Sequence, residues 1–185
     1  DVAFISQSGG YGLQLYLRAS ALGVGVGKFV SSGNESDLKG WEYLKYFGED
    51  PDTKVIAMYI EGLKAGRRWY EEAREITPEK PIVVIKVGVT DEGSKAAASH
   101  TGSIAGSDQI YDAAFKQAGV IRAGDAVEMF DYVKGLLYCD LPLGPNIGIV
   151  SNSGGVAVET ADRLIQNGMK VPILCEEAQE EILGV

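Results

Sequence analysis

The 185 residues carry a formal net charge of −9, with 45% hydrophobic and 23% charged residues, the balance of a soluble globular protein long enough to bury a core. An acidic chain with no basic patch fits neither nucleic acid nor an anionic membrane, and no apolar run reaches membrane-spanning length. Cys139 and Cys175 stand far apart without metal-ligand spacing, which suits a reducing cytoplasm and predicts no metal site here.

Asp1 runs directly into the apolar stretch VAFIS (2–6) with no initiator Met, so the chain reads as a piece of something longer. Short apolar runs then alternate with helix-period segments. VAFIS precedes GYGLQLYLRASAL, VGKFVS (26–31) precedes DLKGWEYLKYF, and KVIAMYIE (54–61) precedes RRWYEEAREI; PIVVIKVG (81–88) leads through a loop to DQIYDAAFKQAG. That alternation predicts an α/β fold with a doubly wound parallel sheet. After a helix over AVEMFDYVKGLLYC (126–139), Pro142, Gly144 and Pro145 mark a linker.

Beyond the linker the pattern restarts. IGIVSNSGG (147–155) repeats VAFISQSGG (2–10) at a constant offset of 145, from Ser6 to Ser151 and on to Gly23 and Gly168. Two copies in register predict a first α/β domain over 1–140, a linker over 141–146, and over 147–185 the beginning of a second similar unit.

Each SxSGG turn joins a strand to a helix, where unpaired N–H groups and the positive end of the helix dipole favour an anion. The phosphate cradles this predicts are Ser8, Gly9 and Gly10 in the first copy and Ser153, Gly154 and Gly155 in the second. Both serines also read as simple N-caps. Three other motifs fail on spacing. GVGVGK (23–28) has Phe29 where a P-loop needs Ser or Thr, Ser6 stands where a GxSxG elbow needs glycine, and residues 8–13 do not form GxGxxG.

His100 is the only histidine, set in the small-residue stretch KAAASHTGSIAG (95–106). Imidazole accepts a proton, a metal or a transferred group near neutral pH, although a lone histidine is more often a surface or core residue than a catalyst. Ligands of an open parallel sheet bind beyond the carboxyl ends of its strands. There Glu61 ends the third run, either to orient an imidazole or as an ordinary solvated acid. A nucleophile, an orienting carboxylate and an anion cradle together describe phosphoryl transfer through a phosphohistidine.

The motifs ISQSGG, SSGNESD, EDPDTKVIAMYIEG, ASHTGSIAGSD and SNSGG together resemble the NDP-forming acyl-CoA synthetases, the ADP-forming acetate–CoA ligase family related to succinyl-CoA synthetase. The resemblance implies a flavodoxin-like ligase domain whose phosphorylated histidine falls on His100 and whose partner glutamate falls on Glu61. The family's phosphate site falls on Ser8, Gly9 and Gly10 and on Ser153, Gly154 and Gly155. It further implies CoA, ADP or ATP, and phosphate as substrates, with Mg held beside the nucleotide on an ATP-grasp domain outside this stretch. The implied partners are CoA-binding and ATP-grasp domains or a separate subunit, a small-molecule acid, and an oligomer in the full-length form, so the stretch alone is expected to be inactive. Two other classes compete with this reading. One is a regulatory or scaffolding synthetase-like region of a protein acetyltransferase, and the other is a hydrolase using Ser8 or Ser153.

Overall fold

The computed structural model describes residues 1–90, 92–93, 95 and 107–184. Three strands are buried along their whole length: β1 (Val2–Ser6), β3 (Val55–Ile60) and β4 (Ile82–Lys86). Unbroken apolar runs, instead of alternating ones, are what a strand covered on both faces requires. β2 (Val26–Ser31) lies at one edge and is only partly buried, and β5 (Ile121–Ala123) lies at the other. The order is β2-β1-β3-β4-β5 with every pairing parallel, which is the flavodoxin-like winding. β5 is absent from the expectations above because its three residues carry no periodicity. Its register, Val84 opposite Arg122, comes from β4.

Among the described residues five helices cover the sheet: α1 (Gly9–Ala21), α2 (Gly40–Glu49), α3 (Gly66–Ile76), α4 (Asp108–Gln117) and α5 (Ala126–Tyr138). Strand residues of one parity pack with α1 and α5, as Phe4, Ala57 and Val83 do against Leu15, Met129 and Phe130. The other parity meets the remaining helices, where Ile5, Met58 and Val84 join Leu44, Trp69 and Phe115. Each large apolar side chain so buried contributes about 1.5–3 kcal/mol. The first turn of α5 is capped by Asp125, whose carboxylate accepts from the backbone N–H of Val127 and Glu128.

The chain divides into two compact units, Asp1–Cys139 and Asp140–Val185. The second holds α6 (Gly154–Gln166) and α7 (Glu176–Leu183), with no buried residue in either helix. The strand expected at 147–150 is not formed. A single parallel bridge joins Asn146 to Lys170, with Ile147 N–H donating to Lys170 O at 2.8 Å and Lys170 N–H to Pro145 O at 2.7 Å. A strand is held by its neighbours: the matching run in the first unit is paired on both sides, by β2 and β3. Among the described residues no helix is long and apolar enough to cross a membrane.

Candidate functional site

At the end of β1 the chain turns into α1 through a small ring. Ser6 Oγ donates to Ser8 O at 2.7 Å and accepts from Ser8 N–H at 3.2 Å. Ser8 is the N-cap of α1, its own hydroxyl accepting from Tyr11 N–H at 3.4 Å. The first N–H groups of a helix have no intrahelical acceptor, and here the first two belong to Gly9 and Gly10. A Cβ at Gly10 would meet nothing within 4 Å, and one at Gly9 only Ser31 Oγ at 3.4 Å. The second copy builds the same ring: Ser151 Oγ donates to Ser153 O at 3.0 Å and accepts from Ser153 N–H at 3.1 Å, with α6 starting at Gly154. Ser153 makes no side-chain cap bond.

β1 and β3 are neighbours whose crossovers leave in opposite directions, β1 to β2 and β3 to β4. The crevice beyond their carboxyl ends is the switch point where doubly wound sheets take ligands. Gln7 and Glu61 flank it. Gln7 N–H donates to Tyr59 O at 3.1 Å, and its side-chain Oε1 accepts from Glu61 N–H at 2.6 Å and Gly62 N–H at 3.1 Å. Its Nε2 donates to Gly62 O at 2.7 Å and to Glu35 Oε1 at 2.8 Å. Gln7, Glu35 and Glu61 are all buried. The fold therefore brings Glu61 beside the Ser8, Gly9 and Gly10 turn, with Gln7 between them. Beneath Glu61, Tyr59 meets Tyr11 edge to face at 5.1 Å. Burial, followed by the charge of Glu61, pushes the Tyr59 phenol up to about 12, so it stays protonated.

Lys86, 4% exposed, closes β4. Its ammonium donates to Val87 O and stands 4.7 Å from the centroid of the Tyr111 ring. Burial holds its pKa below the usual lysine range, against the opposing pull of Asp108 and Glu61. Tyr111 Oη in turn accepts from Leu63 N–H at 3.2 Å, tying α4 to the turn that follows Glu61. Gln7, Glu35, Lys86 and Tyr111 are additions to the residues expected from sequence. The one signal that could have found Lys86 was a cation closing the otherwise apolar run PIVVIK.

His100 lies outside the described residues, on the segment that leaves the end of β4 and returns at Ser107 ahead of α4. Ser153, Gly154 and Gly155 belong to the second unit. Among the described residues no three His, Cys, Asp or Glu side chains gather as a metal site.

Comparisons with known proteins converge on one group. The succinyl-CoA ligase like flavodoxin domain matches residues 1–136. The alpha subunit of ADP-forming acetate–CoA ligase II from Pyrococcus furiosus is 43% identical over 182 residues, covering 98% of this chain and 40% of the relative. An ADP-forming 4-hydroxybutyrate–CoA ligase from Nitrosopumilus maritimus is 40% identical over 163 residues, 87% of this chain and 23% of the relative. Among solved structures, the dinucleotide forming acetyl-coenzyme A synthetase 1 of Ca. Korarchaeum cryptofilum, in complex with phosphate and ADP, superposes with a TM-score of 0.92 at 41% identity. That match covers 100% of this chain and 40% of the other. The chain thus spans less than half the length of these relatives.

Proposed function

The chain belongs to the succinyl-CoA ligase-like flavodoxin domain family, and from that membership we propose that it is the phosphoryl-relay part of an ADP-forming acyl-CoA synthetase of the acetate–CoA ligase type. Phosphate displaces CoA from the acyl-CoA, giving an acyl phosphate and the free thiol. A ring nitrogen of His100 then attacks the phosphorus, the bond to the acyl oxygen breaks, and the acid leaves. The phosphoryl group passes from His100 to ADP, restoring the imidazole and forming ATP.

In this reading the N–H groups at the start of α1, with Ser8, Gly9 and Gly10, hold phosphate oxygens against the positive helix end. Ser153, Gly154 and Gly155 offer a second such turn for the phosphoryl group at another stage. Glu61 accepts from the imidazole and stabilises its positive charge while the phosphoryl group is attached. CoA and nucleotide are handled by partner domains or a partner subunit, with Mg beside the nucleotide, in a full-length oligomer. The unpaired, exposed Cys139 and Cys175 are in keeping with a reducing cytoplasm. Relatives named as ligases support the enzyme over a scaffolding role in an acetyltransferase.

The observation that best supports this reading is the Gln7 side chain, next to the Ser8 N-cap, accepting from Glu61 N–H at 2.6 Å at the β1/β3 switch point. The test is phosphorylation of the 185-residue chain by phosphoramidate, scored as acid-labile, base-stable label. Label is expected on the wild type and absent in His100→Ala, and Glu61→Gln should fold yet label about 10- to 100-fold more slowly, the usual cost of losing an orienting partner. Label persisting in His100→Ala overturns the proposal.

A further inference from the structure

We infer that Gln7 is a positioning residue that locks Glu61 to the phosphate-binding turn, and that Glu35 sets which way its carboxamide faces. What Glu61 does in this account rests on the phosphohistidine reading; how it is held rests on hydrogen bonds alone.

A carboxamide has two N–H donors and two acceptor lone pairs, and all four are used here. Oε1 takes the N–H groups of Glu61 and Gly62, at 2.6 and 3.1 Å, while Nε2 gives its protons to Gly62 O at 2.7 Å and Glu35 Oε1 at 2.8 Å. Gln7 is 9% exposed, so water is a poor substitute, and each buried polar group left unpaired costs about 1–3 kcal/mol. The next residue is Ser8, the N-cap of α1. One residue therefore joins the backbone of the anion turn to the backbone of Glu61, across the switch point between β1 and β3.

Glu35 explains the orientation. A carboxylate only accepts, so it demands the N–H₂ end of the carboxamide and leaves Oε1 for the two backbone N–H groups. Glu35 also holds a φ of 50°, the one non-glycine residue with positive φ among those described, a conformation that costs a side-chain-bearing residue about 1–3 kcal/mol. Glycine is what that backbone favours, and glycine lacks the carboxylate. The strained glutamate is held by Glu35 N–H donating to Ser32 O at 3.1 Å and by the Lys39 ammonium donating to Glu35 O at 2.5 Å. An apolar side chain at position 7 would fill the same space without steering anything. A displacement of about 1 Å at a reacting centre costs up to about a hundredfold in rate, which is the error the clamp prevents.

The experiment uses the 185-residue chain with phosphoramidate as donor, and amide hydrogen exchange at Glu61 and Gly62 in the same variants. In Gln7→Met the maximal labelling rate of His100 should fall about 10- to 100-fold. The phosphoramidate concentration giving half that rate should not move, and both amides should lose protection. Gln7→Glu sets two carboxylates against each other and should fall at least as far. Combining it with Glu35→Gln restores a donor–acceptor pair between the two positions and should recover part of the rate. If Gln7→Met does not fold, Glu35→Gln takes its place, because its carboxamide donates as well as accepts and so no longer dictates which end of Gln7 faces it. It should show a smaller rate loss with a partial loss of protection confined to the Glu61 and Gly62 amides, and full protection with wild-type rates there overturns the role of Glu35. Wild-type rates in a folded Gln7→Met with Glu61 and Gly62 still protected overturn the clamp, as does a double variant no faster than Gln7→Glu. A wild-type chain that takes no phosphoryl group at His100 overturns the phosphohistidine reading instead, and amide exchange in Gln7→Met then decides the clamp by itself.

Discussion

A methyl group added at Gly12 would stand 2.5 Å from Ser6 Oγ and 2.6 Å from Ser6 Cβ, distances at which either α1 or the end of β1 must move. The same serine closes the ring that turns the chain into the helix, so the contact bears on the site as well as on packing. Gly12→Ala should therefore destabilise the protein by about 1–3 kcal/mol, the usual cost of overpacking, measured as a lower urea midpoint. An unchanged midpoint would mean that α1 lifts without cost. The second copy has Ala157 at the matching position, so its helix and turn accommodate the methyl that the first copy excludes. Legibility at this scale follows distance along the chain. Glu61 shows itself by ending an apolar run, and the serines and glycines of the turn are contiguous. The role of Gln7 depends on partners 28 and 54 positions away, and no local pattern reports such a contact.

At the scale of elements, β1, β3 and β4 are legible because burial on both faces demands unbroken apolar runs, whereas β5 is made by its neighbour and the run at 147–150 lacks one. The joint between α2 and β3 is held by charge. Lys80 donates to the carbonyls of Phe47 at 2.7 Å, Gly48 at 2.9 Å and Asp50 at 2.8 Å, closing the carboxyl end of α2, where a cation is favoured. The Asp50 carboxylate accepts from the Lys28 ammonium and from the Thr53 hydroxyl. Those bonds hold its pKa down to about 2 from an ordinary 3.8, Lys28 being the larger cause. A depressed carboxylate contributes stability above its unfolded pKa and loses it as pH falls through the folded one. Asp50 therefore supports the joint above pH 3.8, and this support fades towards pH 2. Asp50→Asn should lower Tm at neutral pH, and the gap from wild type should close over that window. A gap that stays constant down to pH 2 would show that the carboxylate's charge is not what holds the joint.

Across the whole molecule, the two units differ in what they bury. Asp1–Cys139 contains the five-stranded sheet and both apolar clusters, and α5 completes one of them through Met129, Phe130 and Val133. Asp140–Val185 has two helices without a buried residue and one isolated bridge. Cooperative unfolding needs a core whose burial outweighs chain entropy, which is already marginal at about 60 residues and below about 40 usually takes disulfides, metals or oligomerisation. Cys175 forms no disulfide, and no metal-binding group is found among the described residues. A chain ending at Cys139 should therefore unfold cooperatively with a Tm close to that of the 185-residue protein. A peptide of residues 140–185 should give a shallow thermal trace in far-ultraviolet circular dichroism, without a transition. A sharp transition in the peptide would mean that Asp140–Val185 folds by itself. Loss of cooperativity in the shortened chain would mean that the sheet depends on residues beyond α5.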